Sequence, residues 1–225
     1  MALIKDRKDK SNGSYERIFN NKKLAQLITK IHATSIVNGN ELEKLIILKA
    51  DEMVVKNVEE FEKILKRNFN GKEIFIVPKK IVKKSTVANK KEPDFLIITK
   101  SNDCLNIIEL KDGWVFDTKK SEGEYKQLQE FQNDISKIVS YKTQIFMCSF
   151  NSNDKEQIYN GFKKKIPKEN IMTGSEFCEL VNINYDEIKK EREKDSSLNF
   201  DYFIEELLLI EEVQEAIMKK INKQK

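Results

Sequence analysis

An α/β fold, a mixed central β-sheet flanked by helices with extra helices at both ends, is what this 225-residue sequence predicts. Two observations carry that reading. Apolar residues recur at helical spacing toward both ends of the chain, and between residues 73 and 150 they switch to short β-rich runs. With only 7 Gly and 3 Pro, the chain lacks the turn residues that an all-β fold with many tight turns requires.

Residues 15–36 place Ile18, Leu24, Leu27, Ile28 and Ile31 on one side of a helix. Asn38-Gly39-Asn40 predicts a stop and a restart. A second helix from about Glu41 carries Leu42, Leu45, Ile46 and Leu48, and helical pattern continues through Val58, Phe61, Ile64 and Leu65 to about Asn70-Gly71. The period then changes to that of strands. Residues 73–77 (EIFIV) form a short strand closed by Pro78. Residues 95–99 (FLIIT) and 105–110 (LNIIEL), separated by the polar stretch 100–103, predict a hairpin. Residues 122–139 return to helix, 143–150 (TQIFMCSF) form a buried strand, and 154–164 another helix. Ile171-Met172 predicts a short strand, 175–181 a helix, and two further helices follow at about 186–194 and 203–221. A hairpin feeding a helix and then a strand implies a mixed sheet. With no internal repeat and no long linker, the expectation is one domain over 1–225. It has a helical part at about 15–70, a sheet core at about 72–181 and C-terminal helices at about 185–222.

Composition narrows the chemistry. No apolar run approaches the roughly 20 residues needed to cross a bilayer, and residues 1–14 lack the apolar core of a signal peptide; a cytoplasmic protein is expected. Three scattered cysteines (104, 148, 178) and one histidine, His32, cannot supply a zinc site or a nucleophile-histidine pair. His-dependent nuclease chemistries are excluded on the same ground. Carboxylates and lysine remain. From residue 72 to 92 seven Lys stand against two Glu, a local net charge of +5; the alternative to a binding role for this stretch is a solvated loop.

Asp94 follows Pro93 at the start of one hairpin strand, and Glu109-Leu110-Lys111 ends the other. Residues two apart on a strand share a face, so Glu109 and Lys111 project together. If the loop is centred between Ser101 and Asn102, position i pairs with 203 − i and Asp94 lies opposite Glu109. Shifting the centre by one residue puts Asp94 opposite Lys111, still on that face, whereas an odd loop without a bulge would separate them. Two inward carboxylates repel unless something positive lies between them. Mg²⁺ is the natural occupant, with the Leu110 carbonyl as a further oxygen ligand and Lys111 placed to position water and stabilise negative charge. For a lone Glu-x-Lys the alternative is a surface salt bridge; a Pro-Asp at the partner strand and a basic stretch alongside favour the site.

These residues resemble the motif of the PD-(D/E)xK nuclease superfamily, and the order helix, three strands, helix, strand over about 41–150 resembles its core. The resemblance implies that Asp94 and Glu109 hold magnesium and that Lys111 assists hydrolysis. It nominates Glu43, in Gly39-Asn40-Glu41-Leu42-Glu43, as a further metal ligand, the alternative being an exposed helix Glu paired with Lys or Arg. Chain size, the stretches 109–125 and 173–177, and the absence of an ATPase motif resemble a type II restriction endonuclease. That likeness implies double-stranded DNA as substrate, a homodimer, and a cognate DNA methyltransferase as genetic partner. Lys79, Lys80, Lys83, Lys84, Ser85, Asn89, Lys119 and Lys120 are the expected DNA contacts. Trp114 and Phe116 are expected to pack, as are Phe203, Leu207, Ile210, Val213 and Ile217.

Overall fold

The computed structural model describes residues 2–10, 13–68, 71–87, 92–113 and 116–223. Two compact units divide the chain: Met1–Leu42 with Asp186–Lys225, and Glu43–Tyr185.

The first unit is helical. After α1 (Gly13–Phe19) the backbone turns at Asn20, whose φ of 48° is left-handed, and α2 (Lys22–Lys49) begins where the Asn21 side chain accepts the Leu24 N–H. The expected break at Asn38-Gly39-Asn40 does not occur. Gly39 costs a helix interior only about 1 kcal/mol, and no steric or capping feature there ends the helix; the stop is at the two asparagines instead. At the other terminus the expected gap between 194 and 203 is filled, because that stretch holds no Gly or Pro. There α8 (Tyr185–Leu208) runs unbroken, and the chain turns at Leu209-Ile210 before α9 (Glu211–Asn222). Of the apolar stripe expected here, Ile210 is buried and the other four are half-buried. Polar latches tie the unit together. Asp195 and Asn199 accept the N–H groups of Ala2 and Ile4, and Lys30 donates to Tyr202 Oη at 3.0 Å while pairing with Asp9 at 2.9 Å.

The second unit is built on a five-stranded sheet in the order β1-β2-β3-β4-β5. It takes in the last turns of α2, from Glu43, and then α3 (Val58–Leu65), capped by Asn57. The chain leaves the helix between α2 and α3 because Met53–Val55 runs beside β1 (Ile74–Pro78), exchanging backbone hydrogen bonds with Ile76 and covering that sheet edge. One turn of helix, α4 (Lys79–Val82), opens what reads in sequence as a loop. Then come β2 (Phe95–Thr99), β3 (Cys104–Lys111), α5 (Thr118–Ile135), β4 (Lys142–Ser149), α6 (Lys155–Gly161), β5 (Ile171–Thr173) and α7 (Gly174–Leu180). Pairings β1-β2 and β2-β3 are antiparallel, β3-β4 and β4-β5 parallel, the mixed sheet the sequence predicts.

All five β2 residues are buried, as the uninterrupted apolar run Phe95–Thr99 requires of a strand covered on both faces. One side of the sheet meets Phe61, Ile64, Leu128, Phe131 and Ile135 of α3 and α5 in the main apolar cluster. Phe116 stacks on Phe162 with ring centroids 4.0 Å apart, the packing role expected of it. The three cysteines are free and buried. Thr173-Gly174-Ser175-Glu176 has a structural use: Thr173 and Glu176 form a capping box on α7. A Cβ on Gly174 would fall 1.9 Å from the Phe150 carbonyl oxygen, so only glycine fits.

Candidate active site

Register assembles the site. Pro78 pairs with Phe95 and Phe95 with Ile108, so one step outward Lys79, Asp94 and Glu109 stand side by side at one end of β1, β2 and β3. The hairpin sum is 203, the first of the two registers weighed from sequence. Strand β3 leaves the core here: its first five residues are buried and Glu109, Leu110 and Lys111 are half-buried.

Contacts follow that geometry. Lys79 Nζ donates to Asp94 Oδ1 at 3.0 Å, and the Lys79 backbone N–H donates to the Asp94 carbonyl at 3.0 Å. Asp94 Oδ2 accepts the Leu110 N–H at 2.9 Å. Lys111 Nζ donates to Glu109 Oε1 at 2.7 Å and lies 2.9 Å from Glu124 Oε2 on α5. The side chains of Asp94, Glu109, Lys111 and Glu124 are only 9 to 19% exposed, too dry for a surface salt bridge. Behind them Phe150 N–H donates to the Lys111 carbonyl, and Ser149 Oγ to the Gly113 carbonyl, which fixes the end of β3 against β4.

Charge is crowded. Burial, and then the negative charge of Asp94, push the Glu43 carboxyl up to about 7. The same two causes raise Glu109. Burial works to lower Lys111, but Glu109 and Glu124 outweigh it and hold the ammonium above the ordinary lysine range. Burial likewise opposes the charge on Lys79, and Asp94 outweighs it. Glu43 therefore stands within electrostatic reach of Asp94 and Glu109 from the end of α2.

Among the described residues no three acidic, histidine or cysteine side chains already converge as a cation cage; Asp94 and Glu109 are each turned to an ammonium group instead. The donor set nevertheless fits a hard divalent ion. Its carboxylates supply oxygen alone, and two of them are held above their ordinary range by burial and like charge, which an added cation relieves.

The chain is similar to the type II restriction enzyme HhaII of Haemophilus parahaemolyticus, at 40% identity over 219 residues, covering 95% of each chain. This chain belongs to the type II restriction enzymes. It is accordingly a hydrolase of the restriction endonuclease class. No family profile and no solved structure gives a significant match. Among the described residues of this restriction enzyme, no helix is long and apolar enough to cross a membrane.

The expected DNA contacts divide. Lys79 belongs to the carboxylate row. Lys80, Lys83 and Lys84 are exposed on and after α4, and Lys119 and Lys120 are exposed in the first turn of α5. Ser85 donates its hydroxyl to the Val82 carbonyl. Asn89 and Trp114 lie outside the described residues. His32 is exposed on α2. Sequence reasoning named Lys79 as a DNA contact but missed its pairing with Asp94, and it missed Glu124. Lys79 was available from the β1-β2 pairing that sets it beside Asp94. Glu124 was available as the one acid on the buried face of α5, three residues after Ser121 and four before Leu128.

Proposed function

We propose that this restriction enzyme cuts double-stranded DNA at one short sequence by Mg²⁺-dependent phosphodiester hydrolysis, using a PD-(D/E)xK centre made of Asp94, Glu109 and Lys111. The observation that carries the reading is the single buried row in which Asp94 and Glu109 stand side by side with Lys111 on the same face. Asp94, Glu109 and the Leu110 carbonyl would hold the ion, and Glu43 is the further ligand. When bound, Mg²⁺ supplies an activated water and neutralises charge on the scissile phosphate.

The chain's own groups do the rest. Lys111, dry and kept charged by its carboxylate neighbours, faces the developing negative charge and orients the attacking water. Lys79 balances Asp94 before the ion arrives. Lys80, Lys83, Lys84, Lys119 and Lys120 contact phosphates around the site, and the segment holding Ser85 and Asn89 reads bases. The whole chain acts as one nuclease domain in the cytoplasm, as a homodimer in which each subunit cuts one strand. A cognate methyltransferase protects the host sequence.

Purified Glu109→Ala and Lys111→Ala test the centre. Each should lower plasmid cleavage in Mg²⁺ by about 1,000-fold or more while DNA affinity measured in EDTA stays close to the parent's. Cleavage at the parent's rate by either variant rules out the assignment. Fragment ends sequenced from an unmethylated genomic digest give the recognition sequence, and ends scattered without a common sequence would contradict the site-specific reading.

A further inference from the structure

Lys111 has two carboxylate neighbours, and only Glu109 has work in the mechanism above. The other, Glu124, sits on α5 in line with the buried Ser121, Tyr125 and Leu128. Its Oε2 is buried, and the Lys111 ammonium 2.9 Å away is its counter-charge. Among the described residues, its Oε1 faces the exposed Lys120 ammonium, at 4.0 Å. A carboxylate on the core side of a helix is costly to desolvate, and a helix of this length could be seated by an apolar residue instead.

Competition for one oxygen gives Glu124 a use. Lys111 takes Glu109 Oε1 at 2.7 Å, and Glu109 is also a proposed ligand for the divalent ion. Were Glu109 its sole partner, Lys111 would contend with the ion for that oxygen, and the ion's arrival would leave a buried ammonium without its counter-charge. Glu124 comes from the helix and not from the strand row, so it can keep the ammonium paired while Glu109 turns to the ion. Lys111 then stays in place and charged throughout.

We infer that Glu124 is a positioning residue, which anchors Lys111 independently of the metal and so releases Glu109 to bind it. This rests on the metal-dependent reading above. The rival is a brace: a buried ion pair that fastens α5 to β3 and has no effect on the ion.

Glu124→Gln separates the two, since it keeps the shape and removes the charge. Mg²⁺ binding is measured by calorimetry without DNA, DNA affinity is measured in EDTA, and thermal melting and circular dichroism report the fold. The expected result is Mg²⁺ affinity weakened by about tenfold, the size that outer-shell partners typically command, with DNA affinity in EDTA unchanged. In steady-state cleavage kcat should fall and KM should hold, and Glu124→Asp, which retains the charge, should recover part of both losses. Asp94→Ala is the control for the metal reading itself. If it binds Mg²⁺ as the parent does, that reading fails. If Asp94→Ala loses the ion while Glu124→Gln binds it with parental affinity, only the role of Glu124 is overturned, whether or not melting shifts. Should Glu124→Gln not fold, Glu124→Asp is read in its place with an expected weakening of about threefold, and parental affinity again overturns the inference.

Discussion

The two units solve the problem of burial in different ways. In Glu43–Tyr185 the apolar side chains are taken up by a sheet covered on both faces, and Phe61, Phe95, Phe131 and Phe150 have no exposed surface at all. In the helical unit a smaller apolar set, including Leu3, Leu27, Leu42 and Ile210, is buried and polar bonds from Asp195, Asn199 and Lys30 add to it, while Ile18, Phe19, Ile36, Leu198, Phe200, Leu209 and Met218 remain on the surface. The sheet unit holds several charges out of water together, whereas the helical unit buries Lys30 against an exposed Asp9. The carboxylate row belongs to the first kind of frame: its ion pairs, at 2.7 to 3.0 Å, are carried by strands whose pairing and packing hold the backbone in register.

Substitutions matched across the units put that contrast at risk. Gly174→Ala, which drives a methyl into the Phe150 carbonyl, should cost roughly 5 kcal/mol and abolish soluble expression; a variant that melts like the parent shows that the sheet unit yields more than its packing implies. Phe131→Ala should lower unfolding free energy by about 3–5 kcal/mol in a denaturant titration. Gly39→Ala in the helical unit has open space around it in the interior of α2, and should raise stability by about 0.5–1 kcal/mol. Destabilisation there would mean that the helix needs its glycine. The smallest effect belongs to Phe200→Ser on α8, 64% exposed, which should move stability by no more than about 0.5 kcal/mol. A loss comparable to that of Phe131 would show that the helical unit holds its exposed aromatics more firmly than their surface position implies.

Legibility in the sequence follows the same division. Strands β2 and β3 end within a residue of their expected bounds because their apolar runs are closed by charge on one side and by the 100–103 turn on the other. An even loop then leaves little choice of register, and Asp94, Glu109 and Lys111 fall together. Helix ends were harder. Gly39 and the polar stretch before Phe203 look like breaks, yet a helix interior tolerates both, and nothing in periodicity distinguishes a tolerated interruption from a real one. Helix α4 hides inside a lysine run whose two apolar residues, Ile81 and Val82, are too few to show a period. The Lys79–Asp94 and Lys111–Glu124 pairings escaped for another reason: each is a contact between elements, 15 and 13 residues apart, so local pattern shows the face on which Lys79 or Glu124 lies but not its partner.

The bond from the Leu110 N–H to Asp94 Oδ2 has a consequence for which ions can be served. With that oxygen already accepting a backbone N–H, Asp94 is disposed to lend an ion its other oxygen, the one that now faces Lys79, rather than both. A small ion content with single-oxygen ligands and retained water suits such a donor; a larger one that seeks seven or eight oxygens and embraces carboxylates sideways does not. Under the proposed metal-dependent reading, calcium should therefore settle less well than magnesium, by the dictate of one backbone amide.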